Sequence, residues 1–414
     1  MQIIHMSDLH IGAKPYNENT IYNDIKEAFS ESIEIIKRER PDLLVIAGDL
    51  FDSPRPDNDS LRLVIQKFRE VTGLGIPIVM AHGEHDTPGR RESTILQVIS
   101  SAVDKVYAPL YELKSEGGLT KEKIYEDIVK ETKISINNLN VFVYPFKKIN
   151  LDSRRELAND LLPYYNKAIK EQEGKSVFVA HFSIDPLFIQ DALVSEEKLP
   201  EANYIAMGHI HKRYISRGSK YYAYPGSLYP IESNEARSQD KRGPILVDLS
   251  SDIPDIQEIC DIQIRKNMVK DLEIMDEKEI NKKIKMLIEN EKRIIGKTNK
   301  DPLIYLRIGI SKNVYSRIVL QNIERTENEE KVIIIPILER INKDLEEKSY
   351  SVKSINKNYL DPLNIITNEF KINENTAKLL LELRDAALDK NEDRVNELLS
   401  KLSEKSIEEL KRVI

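Results

Sequence analysis

Leu43-Leu44-Val45-Ile46-Ala47-Gly48-Asp49-Leu50-Phe51-Asp52 decides the fold, because five apolar residues run straight into Gly-Asp. A run this short and this rich in branched aliphatics reads as a strand buried on both faces, the habit of parallel strands covered by helices. The same pattern recurs in the first 211 residues. Ile3-Ile4-His5-Met6-Ser7 runs into Asp8-Leu9-His10, and Ile76 to Met80 runs into Gly83-Glu84-His85-Asp86. Val177-Phe178-Val179 runs into Ala180-His181, and Tyr204 to Met207 into Gly208-His209-Ile210-His211. The stretches between these runs are long enough for crossover helices. In open α/β sheets ligands bind beyond the carboxyl ends of the strands, so all five polar clusters should converge there.

Imidazole mixed with carboxylate suits borderline to hard divalent ions such as Mn²⁺, Fe²⁺ or Zn²⁺, and the lack of thiolate argues against a Cys-type structural site. Two such ions about 3.5–4 Å apart can clamp a phosphate and acidify a water, so the pattern reads as a two-metal hydrolase. Asp49, after a Gly that permits close backbone approach, is the natural bridge between them. Each piece alone has an ordinary explanation: a capping Asp, a Gly-Asp turn, two His on one face of a strand. Together they are specific. Of the seven histidines, His10, His85, His181, His209 and His211 sit at strand ends, which scattered core histidines would not do. His5 and His82 read as structural.

In that order, Asp-x-His, Gly-Asp-x-x-Asp, Gly-x-His-Asp, a lone His and Gly-His-x-His resemble the calcineurin-like binuclear metallophosphoesterases. The detail is most similar to their DNA double-strand-break repair nucleases, the meiotic recombination eleven (Mre-eleven)/SbcD family. It lies in Ile4-His5-Met6-Ser7-Asp8-Leu9-His10-Ile11-Gly12, His85-Asp86-Thr87-Pro88 before Arg90-Arg91, and Tyr224-Pro225-Gly226-Ser227 after Gly208-His209-Ile210-His211. The specific motifs cover about residues 1–240. The resemblance implies a β-sandwich flanked by helices, with a small α+β capping domain and C-terminal helices. It implies two Mn²⁺ per subunit, one held by Asp8, His10, Asp49 and His211 and the other by Asp49, Glu84, His181 and His209. His85 would bind no metal and would protonate the leaving 3′ oxygen as a general acid. The implied activities are 3′–5′ exonuclease and single-strand endonuclease. Glu84 departs from the family's Asn, adding a negative charge beside an anionic substrate, which predicts a loaded site with weaker phosphate attraction.

Composition sets the remaining bounds. At 414 residues the chain is long enough for two to three domains and a sizeable core. No run approaches a membrane span, and the first residues begin a strand instead of a signal peptide. Cys260 is the single cysteine, which fits a reducing cytoplasm and, with the family, a nucleoid-associated archaeal protein. Charged residues make up 32% and there is no Trp, the direction of a thermophile surface. The net charge of −7 leaves no global nucleic-acid footprint, so any DNA grip is local. Lys14, Arg55, Arg90, Arg91, Lys147, Lys148, Lys212 and Arg213 are the candidates, and Arg90-Arg91 stands out for its position after the His85 loop.

The expected domains are 1–242 for the nuclease, 243–341 for the cap, 342–359 for a linker and 360–414 for a helical partner-binding segment. Lys133 to Val143 reads as a hairpin after a polar insertion at 111–135. Within 243–341, strand-like Pro302 to Ile310 and Val332 to Leu338 alternate with helical Glu277 to Asn290 and Ser316 to Glu324. Asp361-Pro362 opens a helix carrying Leu363, Ile366 and Phe370, and a later stripe holds Val395, Leu398, Leu399 and Leu402. With too little core of its own, this tail should dock, and the family's partner there is an SMC-like ABC ATPase of the Rad-fifty/SbcC type. Leu61, Val64, Ile65 and Phe68 on one helix, with Ile95, Leu96 and Ile99 on another, form apolar faces. In the family such helices pair two subunits, implying a homodimer. The competing functions are another phosphoesterase of the same superfamily and a non-catalytic scaffold for the ATPase.

Overall fold

The computed structural model describes residues 1–340 except 90–92, 112–119, 147, 239–240, 261, 263–264, 296–299 and 312–313. Past 340 it describes only Thr376, Leu379, Glu382, Leu398 and Lys401. The chain divides into two units, 1–342 and 343–414.

The first run forms β1 (Gln2–Met6), and the next two form β2 (Leu43–Ala47) and β3 (Ile78–Ala81). These pair in parallel, and the short β4 (Val106–Tyr107) extends them. Each crossover is a helix: α1 (Asn19–Glu39), α2 (Asn58–Gly73) and α3 (Ile95–Ala102). A second sheet is built from β5 (Lys133–Ile136), β6 (Leu139–Val143), β7 (Lys175–His181), β10 (Tyr204–Gly208), β11 (Tyr214–Arg217) and β12 (Tyr221–Tyr224). Its order is β11-β12-β10-β7-β6-β5, with β5 and β6 the expected hairpin. Helices α4 (Lys121–Glu131) and α5 (Leu151–Lys170) belong to its outer side, and β8 (Ile184–Asp185) with β9 (Val194–Ser195) form a small ribbon.

Alternation along the strands places the layers. Ile3, Val45, Ala47 and Val79 meet Val141, Val177, Val179 and Ala206 in a core between the two sheets. Ile4, Met6, Leu44, Ile46 and Met80 point the other way, onto Phe29 and Ile33 of α1, Val64 and Phe68 of α2 and Leu96 and Ile99 of α3. Phe142, Phe178 and Ile205 do the same toward Leu161 and Tyr165 of α5. A strand buried on both faces reads as a continuous apolar run, and each fully buried Ile, Leu or Phe contributes about 1.5–3 kcal/mol of transfer free energy. The architecture is the helix-flanked sandwich that the sequence leads one to expect.

One boundary shifts. β13 (Ile245–Asp248) pairs antiparallel with β1, and β14 (Asp255–Glu258) pairs with β13, so the first sheet takes its last two strands from beyond residue 242. Gly243-Pro244 punctuates the chain like a domain start, yet the two strands after it return to the sandwich. The smaller sheet begins at β15 (Asn267–Ile274), which pairs in parallel with β16 (Leu303–Ile310), itself parallel to β17 (Ile333–Arg340). Helices α7 (Ile280–Ile295) and α8 (Ser316–Glu330) complete this α+β unit over a core of Ile284, Ile288, Leu306, Ile308 and Ile323. Between β12 and β13 lies the short helix α6 (Ser233–Ser238).

The helix faces expected at a subunit interface divide. Val64, Phe68, Leu96 and Ile99 are buried against the first sheet, whereas Leu61, Ile65 and Ile95 are only partly covered and Val98 is exposed. Leu398, expected on a partner-facing stripe, is buried within the chain itself, because an apolar side chain packs wherever cover is available. Leu363, Ile366, Phe370, Leu402 and the 342–359 linker lie outside the described residues.

Candidate metal centre

The five strand ends converge. Asp8, His10 and His211 bring one donor atom each within 4.8 Å of one another, as do Asp8, Asp49 and His181, and also His10, Asp52 and His85. Local backbone makes this possible at a steric cost. Asp8 (φ 54°), His10 (φ 43°), Asp49 (φ 51°) and His209 (φ 94°) all occupy the left-handed region, which side chains other than Gly rarely adopt. Such strain persists only where the surroundings over-determine it, and it clusters at functional sites. Two glycines are equally constrained. A Cβ on Gly83 would lie 2.1 Å from Asp49 Oδ1, and one on Gly208 would lie 1.9 Å from the Ala47 carbonyl oxygen.

Hydrogen bonds set the tautomers of His181, His211 and His85. His181 Nδ1 donates to the Ala47 carbonyl at 2.7 Å, which leaves its Nε2 as a lone pair, and that atom lies 3.1 Å from Asp49 Oδ2. The two do not align as a hydrogen bond, and His181 Nε2 is buried without a partner. His211 Nδ1 donates to Glu235 Oε1 at 2.8 Å, and its Nε2 faces His10 Nε2 at 3.0 Å. His85 Nδ1 donates to the Asp52 carbonyl oxygen at 2.8 Å, leaving Nε2 free at an exposed edge of the cluster. Acceptors that face one another need a cation or an extra proton between them. Nitrogen and carboxylate oxygen at this spacing are the donor set of a divalent ion, and the N–H ends tied to carbonyl or carboxylate are what hold metal-binding imidazoles in place.

Charge follows the same geometry. Burial opposes ionisation of Asp49, but the charge of His181, with those of His10 and His85, holds its carboxyl well below the usual range. Burial likewise opposes charging of His181, yet Asp49 and then Asp8 raise it to about 9. Asp86, pushed up to about 7 by burial and by the Asp49 charge, accepts from the backbone N–H groups of Leu50, Phe51 and Gly83, which fastens the end of β2 to the end of β3.

Asp8, His10, Asp49, His181 and His211 are thus brought together, with His85 at the rim. Glu84, half-buried in the turn after β3, and His209 belong to none of the compact donor groups. His209 instead meets His181 edge to face, donates its backbone N–H to Asp8, and sets its Nε2 3.0 Å from Asp191 Oδ2. His5 and His82 are buried away from solvent, bonded to Tyr204 and Thr94, as structural histidines should be.

Sequence reasoning overlooked Asp52, Asp191 and Glu235, which orient or neighbour the imidazoles. Asp52 could have been found within Gly48-Asp49-Leu50-Phe51-Asp52, but nothing periodic marks the other two. Among the basic candidates, Lys14, Arg55 and Lys212 are exposed, while Arg90, Arg91 and Lys147 lie outside the described residues. Arg213 is a correction. Its side chain is 8% exposed, and its guanidinium donates to Pro225 O and Gly243 O while pairing with Glu258, so it braces the loop before β13 instead of reaching for a phosphate.

Comparison with known proteins accords with this geometry. Residues 1–213 match the family model described as calcineurin-like phosphoesterase. The chain is 31% identical to the DNA double-strand break repair protein Mre11 of Aeropyrum pernix, over 97% of this chain and 96% of that protein. It is 29% identical to the Methanococcus maripaludis protein of the same name, over 74% and 78%. It is 25% identical to the SbcD component of the SbcCD nuclease of Staphylococcus saprophyticus, over 67% and 72%. No helix among the described residues is long and apolar enough to cross a membrane.

Proposed function

Since this chain belongs to the Mre11/SbcD family of calcineurin-like phosphoesterases and is a metal-dependent phosphodiesterase, we propose that it is a manganese-dependent DNA nuclease of double-strand break repair. Its activities are 3′–5′ exonuclease and single-strand endonuclease. The observation that supports this most directly is the approach of the partnerless His181 Nε2 to Asp49 Oδ2 beside the convergence of Asp8, His10 and His211, at the ends of strands from both sheets.

Asp8, His10, Asp49 and His211 would hold one ion, and Asp49, Glu84, His181 and His209 the other. A bound pair supplies Lewis acidity toward the phosphoryl oxygens and acidifies water. The chain's own residues do the rest. Asp49, kept anionic by the neighbouring imidazoles and fixed by the His85 backbone N–H at 2.8 Å, would serve both positions. His85 holds a proton at Nε2 for the departing 3′ oxygen, its ring set by the bond from Nδ1 to Asp52 O. Lys14, Arg55 and Lys212 contact phosphates, which positions DNA without reading its sequence. Two copies of the chain pair through the incompletely covered Leu61, Ile65 and Ile95, and the C-terminal segment binds an SMC-like ABC ATPase.

Metal content measured beside cleavage of a 3′-labelled duplex, a single-stranded circle and a small phosphodiester tests the reading. Two ions per chain with DNA as the preferred substrate are expected. Preference for the small ester would make it a different phosphoesterase, and two bound ions without cleavage would leave a scaffold.

A further inference from the structure

The metal-facing orientation of His211 depends on a residue 24 positions away. Glu235 sits on α6 and takes the His211 Nδ1–H on Oε1 at 2.8 Å. Its other oxygen, Oε2, accepts from Ser227 Oγ at 3.1 Å and from the Ile231 backbone N–H at 3.2 Å, and lies 3.6 Å from Arg242 Nη2. Arg242 is itself buried and donates to the Ser227 carbonyl at 2.9 Å. The carboxylate is therefore built in, with both oxygens committed, and one of them is committed to a donor ring.

α6 is also one of the pieces of the sandwich that the second domain grips, beside Ala13 and Ile21 and Ile25 of α1. Ala236 packs with Leu303 and Tyr305 of β16 and Ile335 of β17. Arg307 of β16 donates to Asn234 Oδ1 at 2.8 Å and lies 3.4 Å from Ser233 Oγ, and Arg237 pairs with Asp271 of β15 at 3.1 Å. Neighbouring positions on one helical turn thus face opposite duties, Glu235 toward the donor cluster and Ser233, Asn234, Ala236 and Arg237 toward the smaller sheet.

We propose that Glu235 is the positioning residue of His211, and that α6 makes the ion position formed by Asp8, His10 and His211 depend on how the β15–β17 domain is seated. The proposal rests on the metal reading given above. Removing such a carboxylate partner typically costs 10–100-fold in metal affinity, because the ring loses both its tautomer and its aim. The dependence on the second domain is weaker by nature, since exposed ion pairs and single hydrogen bonds contribute little individually.

Manganese titration of the full chain, read by calorimetry and by the magnetic-resonance signal of coupled ion pairs, tests both parts. The parent is expected to take two ions. Glu235→Gln should keep one near parent affinity and bind the other roughly 10–100-fold more weakly, with the coupled-pair signal lost at concentrations where the parent shows it. Glu235→Asp should recover part of that loss. Arg307→Ala combined with Arg237→Ala touches no donor and should shift the same step by roughly 3–10-fold, with the melting temperature of the chelated protein unchanged within a few degrees. Parent affinity for both ions in Glu235→Gln, in a parent that binds two, overturns the proposal while leaving the metal reading intact. Parent affinity in the Arg pair overturns the link to the second domain. A parent that binds no ion overturns the metal reading, and the proposal with it.

Discussion

His181 Nε2 lies 3.1 Å from Asp49 Oδ2, and with His181 Nδ1 donating to Ala47 O the two atoms are reconciled only by a cation or by an added proton. A cation between them resolves the conflict, so removing Asp49 should remove the reason for binding. Asp49→Ala is expected to bind neither ion, and to lose the stabilisation that manganese gives the parent. At 100 times the dissociation constant that stabilisation is about 2.7 kcal/mol for one site. Equal melting shifts on manganese addition in parent and variant would show that Asp49 is no bridge.

His85 differs in kind, being 45% exposed at the rim with only its Nδ1 engaged. If its role is the departing oxygen, His85→Ala should cut the cleavage rate by about 10²–10⁴-fold and leave two ions bound. KM for DNA should change far less than kcat, because the lost partner acts in the transition state. Loss of an ion in this variant contradicts the assignment.

The strands were legible because burial on both faces writes itself as an uninterrupted apolar run, and the donors because they stop those runs. Leu43–Ala47 and Tyr204–Gly208 illustrate both. What could not be read is what depends on three dimensions. Glu235 and Asp191 are ordinary acids in polar stretches until the chain folds them against His211 and His209. Arg213 looked like a surface cation because a sequence does not say that two carbonyls lie within its reach. That β13 belongs to the sandwich is invisible in the sequence, because antiparallel pairing with a strand some 240 residues earlier leaves no local trace.

Glu84 puts an additional carboxylate on the turn that leads to His85. Glu84→Asn keeps an oxygen donor and removes the charge, so DNA should bind more tightly, with KM falling by roughly threefold to tenfold at low salt, which is about 0.7–1.4 kcal/mol. The gain should shrink as ionic strength rises and screening shortens the reach of the charge. An unchanged KM at every salt concentration would rule out the repulsion.

His5 offers a pH signature independent of catalysis. It faces Tyr204 across the sandwich core, with Nδ1 2.8 Å from the hydroxyl. Burial lowers its pKa from 6.5 to about 3, against a smaller opposing hydrogen bond with Met207. Between those values the unfolded chain takes up a proton that the folded chain refuses. Stability from this group is therefore complete above 6.5 and declines as pH falls toward 3, by about 1.4 kcal/mol per pH unit. In denaturant titrations with chelator present, the parent should lose roughly 2 kcal/mol more than His5→Gln between pH 7 and pH 5. Parallel losses would mean that the ring is not held neutral.

The segment 343–414 forms a unit of its own, and at least Thr376 and Leu398 within it are buried. A unit this small has a marginal core, so a face left over after internal packing gains most by covering a partner. Truncation before residue 358 should leave the melting temperature and metal content of residues 1–342 close to those of the full chain, since the sandwich and the α+β unit have complete cores without it. The truncated chain should fail to co-elute with an SMC-like ATPase that the full chain retains, while still cutting DNA. Full-strength association after truncation would place the partner site on the first unit. Aggregation of the truncated chain would instead make the tail part of the core, with Leu398 its clearest member.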